Sequence, residues 1–138
     1  MASKKKTWLE KFESSKNPQV KTVEKDLADI PAHSQMLIAS PKVFEEYIRN
    51  IPSGHVVDLK TIRNDLALDH NAEYTCPVTT GIYLRVVAES NYERLTQGEG
   101  EEAIAPFWRA IDPQSNLAQK LSFGTEFIRK KQEEEKDQ

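Results

Sequence analysis

Apolar residues in the middle of the chain recur at helical spacing and predict three successive helices. Ser40 and Pro41 suit the N-cap and the first helical position of the first helix. Asp58 suits the N-cap of the second helix, and the third should begin at Cys76 or Pro77. The positions expected to face inward are Val43, Phe44, Tyr47, Ile48 and Ile51 in the first helix, Leu59, Ile62 and Leu66 in the second, and Val78, Ile82 and Val86 in the third.

The remaining pattern predicts shorter elements. Residues 55–57 are brief and partly β-branched, which favours an extended segment. Residues 104–111 are apolar but interrupted by Pro106, which is typical of a strand or extended segment at a sheet edge. A last helix should run from Glu126 to about Glu135. Together these patterns predict a mainly α-helical protein with a small β element.

The first 35 residues differ from the rest because their apolar positions show little periodicity. Trp8, Leu9 and Phe12 form one short apolar stripe, which could dock a first-turn helix onto the remainder of the chain. We therefore expect a basic, partly flexible N-terminal arm over residues 1–35 and a single domain over residues 36–138.

Composition narrows the class of protein. A chain of 138 residues fits one domain, and 30% charged against 38% hydrophobic residues suits a globular protein in water. No apolar run approaches the length of a membrane helix, and no apolar segment follows the basic start, so neither a membrane association nor a secretory signal is expected. A single cysteine, Cys76, suits a reducing compartment, and we expect a cytoplasmic protein.

Charge is distributed unevenly. The net charge is −3, yet residues 1–25 contain seven lysines against three glutamates, which leaves −7 on the remainder. Clustered cations are the main source of nucleic-acid affinity, so only the N-terminal segment shows the pattern of a strong electrostatic DNA contact. A solvated tail is the simpler interpretation of such a charge run.

Four landmarks follow one another along residues 37–136. They are Ile51-Pro52-x-Gly54-x-Val56, a helix pair across residues 58–88, Pro106-Phe107-Trp108-Arg109-Ala110-Ile111, and Gly124-x-Glu126 at the start of the last helix. Their order resembles the DNA-binding domain of the O6-alkylguanine-DNA alkyltransferases, also called methylated-DNA–protein-cysteine methyltransferases, whose reactive segment reads Pro-Cys-His-Arg. The resemblance implies a winged-helix-like domain built on a helix-turn-helix.

The reactive residues of that family are replaced in this chain. Phe107 and Trp108 stand where the nucleophilic cysteine and its partner histidine would be, and neither side chain can accept an alkyl group or act as a base. The chain is thus similar to the alkyltransferase-like proteins, which bind alkylated DNA without reacting, and we expect a non-catalytic DNA-binding protein with a role in DNA repair. Transferase chemistry at Cys76 is a distant alternative, since free cysteines are commonly buried and inert.

The resemblance also implies a set of site residues. Those expected to contact duplex DNA are Lys60 and Arg63 on the second helix and Val78, Thr79, Thr80, Gly81 and Arg85 on the third. The residues expected around the degenerate reaction centre are Phe107, Trp108, Arg109, Ser122 and Glu135, although Phe107 and Trp108 could equally belong to the core. Arg109 should hydrogen-bond backbone carbonyls near the turn.

Several residues needed for base flipping are missing. Val78 replaces an arginine that fills the space left by a flipped base, Leu59 replaces a tyrosine that helps to rotate the phosphate, and Val87 replaces an asparagine. A protein-interaction or structural module of the same fold that has lost DNA binding therefore remains an alternative. His33, His55 and His70 lack ligand spacing, so we expect no metal and no cofactor.

Overall fold

The computed structural model describes residues 7–136, which form a mainly α-helical protein with one small sheet. This confirms the expected mainly α class with a small β element. The elements in chain order are α1 (Trp8–Glu13), β1 (Gln19–Thr22), β2 (Gln35–Ile38), α2 (Pro41–Arg49), α3 (Leu59–Asp69), β3 (Tyr74–Thr75), α4 (Pro77–Thr96), a 3₁₀ turn (Phe107–Arg109), α5 (Asn116–Lys120) and α6 (Glu126–Lys136). No helix within residues 7–136 combines the length and apolar content needed to cross a bilayer.

The caps expected for α2 and α3 are confirmed. The Ser40 hydroxyl accepts a hydrogen bond from the Val43 backbone N–H (3.2 Å), and Pro41 occupies the first turn of α2. The Asp58 carboxylate accepts from the Thr61 backbone N–H (2.7 Å) at the start of α3. Each side chain satisfies a backbone donor that the helix itself leaves unpaired, which fixes where the two helices begin.

The buried face of α4 differs from the expected one. Val86 is buried, but Val78 and Ile82 are 58% and 54% exposed, so their assignment to the inner face was wrong. The residues that α4 buries include Thr80, Leu84, Val87, Ala88 and Asn91. The helix α4 has apolar residues on several of its sides. Helices α1, α2 and α5 and the 3₁₀ turn all contact it. Spacing alone could not select the correct face, because several helical stripes of α4 are apolar.

Two elements within residues 7–35, α1 and β1, contact the remainder of the chain. A capping box between Thr7 and Glu10 begins α1, and Phe12 of this helix is buried against α4. Strand β1 pairs antiparallel with β2, and β2 pairs parallel with β3, giving the sheet order β1-β2-β3. The sheet therefore joins residues on both sides of the boundary expected between residues 35 and 36. Lys4, Lys5 and Lys6 of the expected basic arm lie outside the described residues.

Residues 104–111 do not form the expected strand. Phe107–Arg109 form a 3₁₀ turn, in which the Arg109 backbone N–H donates to the Pro106 carbonyl (3.0 Å). A strand would send Phe107 and Trp108 to opposite faces, but both are buried in the same hydrophobic core. The Asn91 side chain accepts from the Ala105 backbone N–H (2.9 Å), so α4 holds this segment in its non-strand path. Residues 55–57 also lack strand pairing, although the Val57 backbone N–H donates to the Arg109 carbonyl (2.8 Å).

The docking of α1 gives a first prediction. We expect Phe12→Ala to lower the free energy of unfolding by about 3 kcal/mol, because it removes a buried aromatic ring from the core. Urea unfolding followed by circular dichroism measures this change. Val20→Ala on the exposed strand β1 is the control and should shift stability by less than about 0.5 kcal/mol. Equal stability of Phe12→Ala and the native protein would show that α1 does not contribute to the folded core.

Candidate functional site

One surface of the first half of α4 faces solvent and contains three of the seven residues expected to contact DNA. Val78, Gly81, Ile82 and Arg85 follow the i, i+3, i+4, i+7 spacing of one helix side, and we call them the α4 face. A side-chain carbon added at Gly81 would meet nothing within 4 Å, so the helix backbone is open there. The half-buried Thr79 lies at the margin of this face.

Thr80 does not belong to the α4 face, contrary to the expectation from sequence. It is only 1% exposed, and its hydroxyl donates to the Cys76 carbonyl (2.7 Å). The hydrogen bond satisfies the buried hydroxyl within the first turn of the helix. Cys76, the residue before α4, is buried as well.

Two neighbouring residues contact the side chain of Arg85 on the α4 face. Its Nε donates to the Glu89 carboxylate (3.4 Å), and its guanidinium carbon lies 4.9 Å from the centre of the Trp8 ring of α1. Glu89 is 2% exposed and also accepts from the Ser122 backbone N–H (2.9 Å) and hydroxyl. Ser122 thus binds the carboxylate that positions Arg85, a role that the sequence did not suggest.

The two cations expected on α3 have different surroundings. Lys60 is exposed on the first turn of α3. Arg63 makes two hydrogen bonds to the Asp29 carboxylate (3.1 and 2.9 Å) and two to the Thr75 carbonyl (3.1 and 3.0 Å). The hydrogen bond from Arg63 is the main cause of the lowered pKa of Asp29. Arg63 therefore ties the segment before β2 to β3 rather than presenting free donors to a phosphate.

Phe107 occupies the core rather than a pocket. It is fully buried, and its ring centre lies 5.8 Å from that of Phe123, 5.6 Å from that of Phe127 and 5.4 Å from that of Trp108. Of the two alternatives left open by the sequence, the core interpretation is confirmed for this residue. Tyr92 extends the aromatic cluster by stacking on Phe123 at 4.1 Å.

Trp108 is also nearly buried, and its indole N–H donates to the Glu135 carboxylate (3.0 Å). Arg109 donates to the same carboxylate, with the shortest distance 2.7 Å, and to the Ile51 carbonyl (2.8 Å). This confirms the expected backbone contact of Arg109. The Gly54 backbone N–H adds a third donor to Glu135 (3.3 Å) from a turn in which Gly54 has φ of 87°. The cluster of Glu135, Trp108, Arg109 and Gly54 therefore joins the end of α2, the 3₁₀ turn and α6.

These donors determine the ionisation of Glu135. Burial by itself would raise the pKa of this carboxyl, but the hydrogen bonds from Arg109, Trp108 and Gly54 outweigh it and lower the pKa from 4.5 to about 2. Glu135 is thus ionised in the folded protein at neutral pH. Trp108 supplies an indole N–H donor to this carboxylate.

The described residues contain no cluster of three or more histidine, cysteine or carboxylate side chains placed to hold a metal ion. Trp108 has no lone pair available to act as a base, and its one polar hydrogen is committed to Glu135. What this centre supplies is a rigid hydrogen-bonded junction.

Comparison with known proteins adds no relative: no protein family, no curated protein and no solved structure matches this chain. The residues that the sequence failed to bring into the candidate site are Trp8, Glu89 and Ile82. The only signal for them is their spacing on α1 and α4, since Glu89 follows Arg85 by four residues and can pair with it on a helix.

The Glu135 cluster gives a prediction about pH. A lowered folded-state pKa stabilises the folded protein above the ordinary pKa, and this stabilisation is lost as the pH falls from 4.5 toward about 2. We expect Glu135→Gln to lower the free energy of unfolding by about 3 kcal/mol at neutral pH. The difference in stability between the variant and the native protein should shrink in acid. Urea unfolding across this pH range measures both variants.

The control for that experiment is Glu133→Gln, two residues earlier on the exposed side of α6. The stability of this variant should equal that of the native protein at every pH, because the Glu133 carboxylate is exposed and forms a solvent-exposed ion pair with Lys136 (3.6 Å). If Glu135→Gln lost the same stability in acid as at neutral pH, the ionised cluster would not be the cause.

Proposed function

We propose that this protein is a non-catalytic DNA-binding protein in which α3 and α4 act as a helix-turn-helix-like unit of a winged-helix-like domain. In this proposal α4 contacts a groove of duplex DNA through the α4 face, as the resemblance to alkyltransferase-like proteins implies. Alkylated or otherwise damaged duplexes are the proposed targets. One observation carries the proposal: the exposed side of the first three turns of α4 has no acidic residue.

The first half of α4 carries no negative charge. Residues 77–88 contain no aspartate or glutamate, although the protein has a net charge of −3. The first carboxylate of the helix, Glu89, is 2% exposed and bound by Ser122 and Arg85. Phosphates approaching the α4 face therefore meet Arg85 and uncharged side chains, without an exposed carboxylate on α4 to repel them.

The shape of the α4 face also favours close approach. Gly81 has open space around its backbone, and Thr79 beside it is small. Val78 and Ile82 project into solvent on either side of Gly81 along the helix. A glycine between two apolar contacts lets a groove wall or a sugar approach the helix backbone closely, which a larger residue would prevent.

Arg85 and Lys60 supply the cations in this proposal. Trp8 and Glu89 hold the Arg85 side chain in one orientation, so less conformational freedom is lost when it contacts a phosphate. Lys60 is exposed, and the lysine-rich residues 4–6 precede α1 in the sequence. Phosphate contacts position a protein without reading sequence, so the expected affinity is modest and strongly dependent on salt.

The absence of catalysis is part of the proposal. Phe107 is packed among aromatic rings, Trp108 is bonded to Glu135, and Cys76 is buried at the start of α4. None of these groups offers an accessible nucleophile with an adjacent base. Incubation with a duplex containing O6-methylguanine, followed by mass spectrometry of the intact protein, should show no added methyl group.

A pair of charge substitutions tests the α4 face. We expect Val78→Glu with Ile82→Glu to weaken binding of a short fluorescein-labelled duplex at least about tenfold at low salt, because two carboxylates would face the phosphates. Fluorescence anisotropy measures the affinity, with one duplex carrying O6-methylguanine and one unmodified.

Leu68→Glu is the matched control, since Leu68 is also an exposed apolar residue, 76% exposed, but lies near the end of α3. A double control, Leu68→Glu with Val20→Glu, matches the number of added charges on exposed positions outside the α4 face. Absence of saturable binding by the native protein at low salt, or equal weakening by the control pair, would contradict DNA binding by the α4 face.

Salt dependence gives an independent prediction. Lys60→Ala with Arg85→Ala should reduce the slope of log affinity against log salt by about two, since each phosphate contact contributes about one. Arg129→Ala with Lys130→Ala removes one arginine and one lysine from the exposed side of α6 and should leave the slope unchanged. An unchanged slope in the first variant would show that these two cations do not contact phosphate.

A second candidate function is a protein-interaction module. Val78 and Ile82 are apolar and exposed, and Arg63 and Arg85 are paired within the protein, which favours a protein partner over DNA. In that case a pull-down with the native protein would recover the same partner with and without nuclease treatment. Val78→Glu with Ile82→Glu would abolish capture of that partner. Loss of the captured material after nuclease would favour DNA.

A further inference from the structure

A cleft between α2 and α3 is separate from every residue used above for DNA binding. It has a volume of about 600 Å³, within the range of small-molecule sites. Residues of α2, the segment 50–57 and α3 line it. We call it the α2–α3 cleft.

The cleft combines an apolar floor with a polar rim. Val43, Ile51, Val57 and Leu66 are among the apolar residues that line it, and Leu66 belongs to the main core. The polar lining residues are Glu46, Tyr47, Asn50, His55, Asp69 and His70. An apolar cavity with a few polar groups at its edge is the usual form of a site for a small organic ligand.

The charge of the rim has one sign. Glu46 and Asp69 are exposed carboxylates, and no lysine or arginine is found among the residues lining the cleft. Asp65 is next to the lining of the cleft, because the Tyr47 hydroxyl donates a hydrogen bond to the Asp65 carboxylate (2.5 Å). Burial raises the pKa of Tyr47, as do the hydrogen bond to Asp65 and the charges of Asp65, Asp69 and Asp58. Asp65 and Asp69 therefore add negative charge beside the Tyr47 hydroxyl.

His70 adds a directed acceptor. Its Nδ1 lies 2.9 Å from the Leu66 carbonyl, and because a carbonyl can only accept, Nδ1 is the donor in this bond. When the ring is neutral its lone pair is on Nε2, which can then accept a hydrogen bond from an ammonium group. Glu46 and Asp69 offer carboxylate acceptors, which matches a ligand with several N–H donors.

From this arrangement we propose that the α2–α3 cleft binds a small organic cation, namely a primary ammonium group attached to an apolar or aromatic body. The apolar body packs against Val43, Ile51 and Leu66, and the ammonium lies at the rim near Glu46 and Asp69. A carboxylate or phosphate ligand is disfavoured, because the rim offers no cationic side chain to pair with it.

The first arm of the test compares two probes of nearly equal shape. Phenethylammonium and 2-phenylethanol are titrated separately into uniformly ¹⁵N-labelled full-length protein at low salt, and backbone amide shifts are followed by NMR. Phenethylammonium should produce saturable shifts at residues of α2 and α3 that line the cleft, with an affinity about fivefold above that of the alcohol. Equal affinity for the two probes, or shifts that do not cluster at the cleft, would overturn the proposal.

The second arm removes the rim charges. Glu46→Gln with Asp69→Asn should weaken phenethylammonium binding about fivefold, the size expected from two partly exposed charge contacts. Both side chains are exposed, so the fold should be preserved, which a thermal unfolding curve checks. The matched control is Glu24→Gln with Glu126→Gln, which removes two exposed carboxylates elsewhere.

The control pair should bind the amine as the native protein does. If both pairs weakened binding equally, the effect would come from net charge rather than from the cleft, and the proposal would fail. Since the probes contain no nucleic acid and the DNA experiments use other residues, this result is independent of the outcome for the α4 face.

Discussion

The Glu135 carboxylate is the interaction on which the arrangement of the C-terminal half depends. It joins α6 to the 3₁₀ turn through Trp108 and Arg109, and to the loop after α2 through Gly54. Arg109 extends the connection to the Ile51 carbonyl at the end of α2. Three segments distant in sequence thus share one buried charge. If the carboxylate were removed, a largely buried guanidinium would lose its partner, which is far more costly than losing an exposed ion pair.

The other buried carboxylates are also paired with arginine side chains. These ion pairs determine which cations remain available to a partner. Glu45 pairs with Arg49 and Arg94, and Glu89 pairs with Arg85. With Arg63 on Asp29 and Arg109 on Glu135, five of the six arginines form ion pairs inside the protein. Besides Arg85 on the α4 face, the cations available to phosphates are therefore mostly lysines. Because lysine binds phosphate as a point charge without a fixed fork geometry, any DNA affinity should depend on salt more than on sequence.

The sequence predicts those parts of the fold that local chemistry determines. Ser40 and Asp58 cap α2 and α3 where expected, because a side-chain oxygen before an apolar periodic segment has one favoured use. The face of α4 was not predictable in this way. Val78 and Ile82 match a helical stripe as well as Leu84 and Val87 do, and only the positions of α1, α2 and the 3₁₀ turn decide which stripe is buried.

Tertiary contacts also explain the other differences. Residues 104–111 are apolar enough for a strand, but they turn because Asn91 holds Ala105 and because Gln132 of α6 donates to the carbonyls of Trp108 and Ile111 (both 2.8 Å). Strand β1 has four exposed residues, so alternation could not reveal it, and it exists because β2 offers a partner. Tertiary contacts limit the prediction of the candidate site in the same way. Its residue types were predictable from the sequence, whereas the partners of Arg63, Arg85 and Ser122 were not.

Two of the exposed apolar residues, Val78 and Ile82, differ in their arrangement from the other exposed apolar residues. Leu68 is more exposed than Val78 or Ile82, yet a single exposed leucine is common on any protein and has no further meaning. Val78 and Ile82 differ because they lie one helical turn apart with the open backbone of Gly81 between them. A folded protein gains nothing from that combination, since both side chains stay in water and a glycine weakens the helix. The arrangement therefore favours a role in contact with a partner over a role in folding, whether that partner is DNA or protein.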